Sequence, residues 1–154
     1  MQNLKPILLV EDDMVDAMTF KRALSDLHIK TPVIHALNGE EALDYLRNED
    51  KELPCFIFLD LNMPRMNGIE FLKIEKADNR LRKIPVVVLT TSDNEKDVVD
   101  SFELSVAGYM LKPADYSTFV EAIRTVNLYW NMSKLPNGEA EHEELKSTAQ
   151  GTAD

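Results

Sequence analysis

Phe56-Ile57-Phe58-Leu59-Asp60, followed by Leu61-Asn62-Met63-Pro64-Arg65-Met66-Asn67-Gly68, is the stretch that decides the fold. Four consecutive large apolar residues predict a strand buried on both faces, as in a parallel sheet. The run ends on a carboxylate, and Asn62, Pro64 and Asn67-Gly68 punctuate the next segment. Asp60 therefore sits where a central strand leaves the core. In open α/β sheets ligands bind outside the carboxyl ends of the strands, where strand order reverses. A carboxylate there can be a nucleophile, a metal ligand or both. The plainer reading is an aspartate that caps the next loop or helix.

The flanking sequence supplies the rest of the sheet. Ile7-Leu8-Leu9-Val10 is a second buried strand, ending on Glu11-Asp12-Asp13. Ala17, Phe20, Leu24 and Leu27 then recur at helical spacing, which places the acidic run in the first turn of an amphipathic helix. Asp13 reads as its cap. Thr31–Ala36 predicts a shorter edge strand, and Asn38-Gly39 turns into a helix carrying Ala42, Leu43 and Leu46. Pro54 opens the central strand. The helix after Gly68 carries Ile69, Phe71 and Leu72, but its next inward position holds Glu75, which the pattern does not explain. Ile84–Leu89 predicts a third buried strand that ends on Thr90. Ser92 with Glu95 reads as a capping box, with Val98, Val99 and Phe102 facing inward from the helix behind it. Ala107–Leu111 is the last strand. It ends on Lys112-Pro113, a bond that is a candidate for the cis form. Asp115 or Ser117 caps a final helix whose inner face is Phe119, Ile123, Val126 and Trp130, leaving Leu128 and Tyr129 outside as an apolar contact patch.

Five strand–helix alternations predict an α/β, doubly wound, five-stranded parallel sheet with helices on both faces and strand order 2-1-3-4-5. Residues 1–132 form one domain. Residues 133–154 are rich in Glu, Ala, Ser, Thr and Gly and read as an acidic, disordered tail. The formal net charge of −10, of which −4 lies beyond Pro136, argues against nucleic acid as a partner. No apolar window approaches the ~18 residues of a membrane span. The N-terminus lacks a signal-peptide pattern, and the single cysteine, Cys55, excludes an intrachain disulfide, so the cytoplasm is the expected location.

The strand ends collect Glu11 and Asp12, Asp60, Thr90 and Lys112 along one sheet edge. Three carboxylates in one pocket repel, and a divalent cation relieves them. Oxygen ligands suit Mg²⁺, with Glu11, Asp12, Asp60 and the backbone carbonyl of Asn62 as candidates. His28, His35 and His142 lack the spacing of a transition-metal site. Lys112 can hold a phosphoryl group as a point charge or simply pair with Asp60 or Asp12, and Thr90 can donate its hydroxyl to a phosphoryl oxygen or act as a plain strand-end residue. With Asp60 as nucleophile, the product is an aspartyl phosphate.

Val10-Glu11-Asp12-Asp13, Leu59–Pro64 with Gly68, Leu89-Thr90-Thr91, and Tyr109 through Lys112-Pro113 together resemble the receiver domain of two-component response regulators, a flavodoxin-like fold, from about Lys5 to Trp130. The resemblance implies that Asp60 accepts phosphate from a sensor histidine kinase. It implies that Glu11, Asp12, Asp60 and Asn62 hold Mg²⁺, that Thr90 and Lys112 bind the phosphoryl group, and that Tyr109 is an aromatic switch. The output face is then Glu95–Leu104 with Ala107–Trp130, a candidate homodimer surface. No output domain follows, so the chain resembles a stand-alone receiver. Its Thr90–Glu95 run and late Tyr129-Trp130 with Leu135-Pro136 resemble the single-domain regulators partnered with bacterial phytochromes. Two other readings compete. A haloacid-dehalogenase-like phosphatase needs a second acid where this chain has Asn62, and a cap insertion. A scaffold that is never phosphorylated leaves Glu11, Asp12, Asp60, Thr90 and Lys112 without a task.

Overall fold

A computed structural model describes residues 5–132. The tail expected to be disordered, with Leu135 and Pro136, lies outside the described residues. The elements run β1 (Ile7–Val10), α1 (Met14–Asp26), β2 (Val33–Ala36), α2 (Gly39–Arg47), β3 (Phe56–Leu59), α3 (Gly68–Ala77), β4 (Val86–Thr90), α4 (Glu95–Glu103), β5 (Gly108–Leu111) and α5 (Tyr116–Met132). The strands form one parallel sheet in the expected order, β2-β1-β3-β4-β5.

Strand alternation builds two cores from one sheet. Leu8, Val10, Ile57, Leu59, Val86 and Val88 face α2 and α3, where Leu43, Leu46, Phe71 and Leu72 close over them. Ile7, Leu9, Phe56, Phe58, Val87 and Leu89 face α1 and α5, meeting Phe20, Leu24, Phe119 and Ile123. Phe58 packs edge-on against both Phe20 and Phe56, and Phe56 against Trp130. Cys55 packs at the margin of this second core. No helix among the described residues is long and apolar enough to cross a membrane.

Several local expectations are corrected. The acidic run precedes α1 rather than filling its first turn; Asp13 is the N-cap and accepts from the Asp16 amide, and Asp16 is the first-turn acid. Ser92 does not cap α4. Asn94 does, accepting from the Lys96 amide, while the Ser92 hydroxyl donates to Asp97 at 2.6 Å. Val99 and Phe102 point outward, 44% and 53% exposed, and Ser101 is the residue α4 buries. The apolar stripe exists, but the helix lies over the sheet margin and presents it to solvent. The Lys112–Pro113 bond is not cis. Asp115 caps α5 through the Thr118 amide. Leu128 and Tyr129 are exposed, as expected.

Candidate functional site

Register brings the acids together. Val10 pairs with Leu59, so Glu11 and Asp60 leave the sheet side by side. The Asp60 amide donates to the Val10 carbonyl at 3.0 Å, and the Glu11 amide to the Ala36 carbonyl at 3.0 Å, which fixes both backbones past the last paired residue. His35 Nε2 lies 2.7 Å from the Glu11 carbonyl and ties β2 to the same strand end. Carboxylate oxygens of Glu11, Asp12 and Asp60 lie within 4.8 Å of one another. Glu11 and Asp60 are buried, at 3% and 6% exposure.

The β3–α3 loop is held close to Asp60. A Cβ on Gly68 would come within 2.7 Å of the Asp60 carbonyl oxygen and the Leu61 Cα. Gly68 is therefore required by close backbone approach, not by a positive φ. The residue of this loop that does enter the left-handed region is Arg65, at φ 64°. The Gly68 amide donates to the Leu61 carbonyl at 3.0 Å, and the reciprocal Asn67–Glu70 capping box starts α3.

Thr90 and Lys112 reach the same carboxylate from the other side. Thr90 Oγ1 donates to Asp60 Oδ1 at 2.8 Å, and the Asn62 amide donates to the same oxygen at 3.2 Å. Lys112 Nζ donates to Glu11 Oε1 at 2.7 Å, to Asp16 Oδ2 at 2.7 Å and to Asp60 Oδ2 at 3.1 Å. Tyr109 lies one step removed. Its hydroxyl donates to the Ser92 carbonyl at 2.8 Å, and the Ser92 amide lies 3.3 Å from Thr90 Oγ1. The structure therefore unites Glu11, Asp12, Asp60, Thr90 and Lys112 and links Tyr109 to them through Ser92.

Burial pushes the Glu11 carboxyl up to about 7; the Lys112 hydrogen bond opposes this and the Asp60 charge adds to it. Burial works to lower the Lys112 pKa, but the hydrogen bonds it donates to Asp16 and then to Glu11 carry it above the ordinary lysine range. One ammonium shared among Glu11, Asp16 and Asp60 leaves the acidic group under-compensated, and Asp12 adds a further charge without a lysine contact. An all-oxygen set with two buried members suits a hard divalent cation.

Asp16 and Ser92 are the participants that sequence reasoning missed. Asp16 follows the cap Asp13 by three residues, the ordinary place for a first-turn acid, so nothing in the sequence marked it as a partner of Lys112. Ser92 carried no signal either, since its hydroxyl fits a cap equally well.

The chain as a whole is similar to known proteins. A family model described as the response regulator receiver domain matches residues 7–124. The probable methanogenesis regulatory protein FilR2 of Methanothrix harundinacea is 37% identical over 127 residues, covering 80% of this chain and 82% of that protein. The phosphorylated cyanobacterial phytochrome response regulator RcpA superposes with a TM-score of 0.80 at 36% identity, covering 88% of this chain and 100% of that one. The Mn²⁺-bound form of the response regulator Rcp1 gives 0.80 at 36% identity, covering 86% and 99%.

Proposed function

The chain belongs to the response regulator receiver domain family, and from that premise we propose that Asp60 receives a phosphoryl group from a sensor histidine kinase. A receiver is a signalling protein and not a classical enzyme. The observation that carries the proposal is the convergence of Thr90 and Lys112 on Asp60, the carboxylate between them being buried beside Glu11.

In the proposed step an Asp60 carboxylate oxygen attacks the phosphorus of a phosphohistidine. The P–O bond forms as the P–N bond breaks, and the imidazole leaves with the electron pair and takes a proton from solvent. Glu11, Asp12, Asp60 and the Asn62 carbonyl would hold Mg²⁺, a role supported by the acidic grouping and by the Mn²⁺-bound relative. Bound there, Mg²⁺ supplies the charge neutralisation that phosphoryl transfer needs. Thr90 donates its hydroxyl, and Lys112 its ammonium, to phosphoryl oxygens as these bonds transfer from the Asp60 carboxylate. Loss of the phosphoryl group by hydrolysis in the same pocket completes the cycle.

The phosphoryl group brings roughly −1.5 to −2 charges and three acceptor oxygens. As Thr90 turns toward them, the Ser92 backbone follows and Tyr109 shifts with it, biasing a surface made by α4, β5 and α5. We assign residues 1–132 to the receiver unit, a cytoplasmic setting to the protein, and homodimerisation to that surface. The likeness to RcpA favours a bacterial phytochrome as the kinase.

Acetyl phosphate or phosphoramidate with Mg²⁺ is expected to add one phosphoryl group to the wild type and none to Asp60→Asn, read by intact mass. Repeated turnover of small phosphomonoesters would instead identify a phosphatase.

A further inference from the structure

Lys112 has three donor hydrogens and spends all three on carboxylates. Two of these acceptors, Glu11 and Asp60, also belong to the acidic group suited to a cation. The third, Asp16, stands outside that group, on the first turn of α1, yet its 2.7 Å contact equals that of Glu11 and is shorter than the 3.1 Å to Asp60.

We infer that Asp16 is a positioning residue: it anchors the Lys112 ammonium on the α1 side of the pocket, so that the lysine does not compete with Mg²⁺ for Glu11 and Asp60. The inference rests on the phosphoacceptor reading of the same pocket.

A cation on Glu11 and Asp60 draws on the lone pairs that Lys112 now uses. The lysine side chain is only 12% exposed and faces the cavity that Glu11 and Asp16 also line, so on giving up Glu11 and Asp60 it still needs a carboxylate at hand, because a poorly solvated ammonium without a partner is costly. Asp16 is the carboxylate that stays with it in that event. Its own side chain is 42% exposed and borders a cavity of about 280 Å³ lined also by Thr19, Phe20, Leu89 and Phe119. It therefore fills no core position. A plain structural role remains, that of an acid complementing the α1 dipole, and it would affect helix stability rather than metal affinity.

Without Asp16, Lys112 falls back on Glu11 and Asp60 and blocks the cation. Calorimetric titration with Mg²⁺ of the wild type, Asp16→Asn, Lys112→Ala and the double variant separates the possibilities. Asp16→Asn is expected to weaken Mg²⁺ binding about tenfold, the scale of one lost charge-assisted contact. Lys112→Ala is expected to tighten it. In the Lys112→Ala background the Asp16→Asn change should shrink below about twofold, because the lysine it acts through is gone. An equal effect in both backgrounds would mean that Asp16 acts only as a nearby charge, and no effect in either would leave it a helix-end acid; both overturn the inference. A wild type that takes up phosphate and binds Mg²⁺ while the cycle shows no coupling sinks this inference alone. A wild type that does neither removes the phosphoacceptor reading as well.

Discussion

At the scale of single residues, Glu75 breaks the apolar pattern of its helix, and the structure shows how unusual its setting is. It is fully buried in α3, neither carboxylate oxygen has a hydrogen bond, and Lys76 Nζ pairs with it at 3.1 Å while donating to the Arg82 and Ile84 carbonyls. Burial pushes the Glu75 carboxyl from 4.5 up to about 7, with the Lys76 charge opposing. A folded pKa above the unfolded one means the folded state holds the proton more tightly. The associated stability is fully present below pH 4.5 and is lost as pH rises through about 7. Glu75→Gln removes this dependence. Relative to wild type it should gain on the order of 3 kcal/mol between pH 4 and pH 8 in denaturant unfolding, nearly the full value of the shift. A variant whose pH profile parallels the wild type would contradict that origin. Asp60, Glu11, Asp12, Thr90 and Lys112 were legible because each sits at the end of an apolar run, where the chain itself marks the strand end. Asp16 was not, because its partner Lys112 lies 96 residues away and only the folded α1–β5 geometry introduces them.

At the scale of elements, the strands read clearly because continuous β-branched and apolar runs have few other homes in an open sheet. Helix α4 misled for a physical reason. Val98, Val99 and Phe102 recur at helical spacing, but periodicity shows only that a stripe exists, not which side the protein turns inward. The cap was equally ambiguous, since Ser92 and Asn94 both suit it; Asn94 won, and Ser92 became the joint between Thr90, Tyr109 and Asp97. Helix α3 buries Gly68, Phe71, Leu72 and Glu75, whereas α4 buries only Ser101. Local stability tracks buried contact, so α4 should open more readily. Amide hydrogen exchange is expected to be faster across Glu95–Glu103 than across the inner turns of α3, and to slow in α4 on phosphorylation. Equal protection of the two helices would show that α4 is anchored by more than its buried surface.

At the scale of the whole molecule, one sheet edge holds the acidic chemistry and one sheet margin exposes Val99, Phe102 and Leu111. A net charge of −10 opposes self-association through that margin, and salt screens such repulsion with a Debye length of about 8 Å at physiological ionic strength. Phosphorylation is expected to shift the protein toward dimer in sedimentation at micromolar concentration, more so at higher salt, and Phe102→Glu should weaken the shift. An unchanged mass under both salt conditions would remove this surface as the output. Two properties define the phosphoacceptor site: where the phosphoryl group resides and whether the acidic pocket needs a cation to carry it. Borohydride reduction of the acyl phosphate followed by peptide mapping tests both together. The predicted result is homoserine at position 60 alone, and none when a chelator replaces Mg²⁺; reduction at another carboxylate, or undiminished labelling at position 60 with the chelator present, would contradict it.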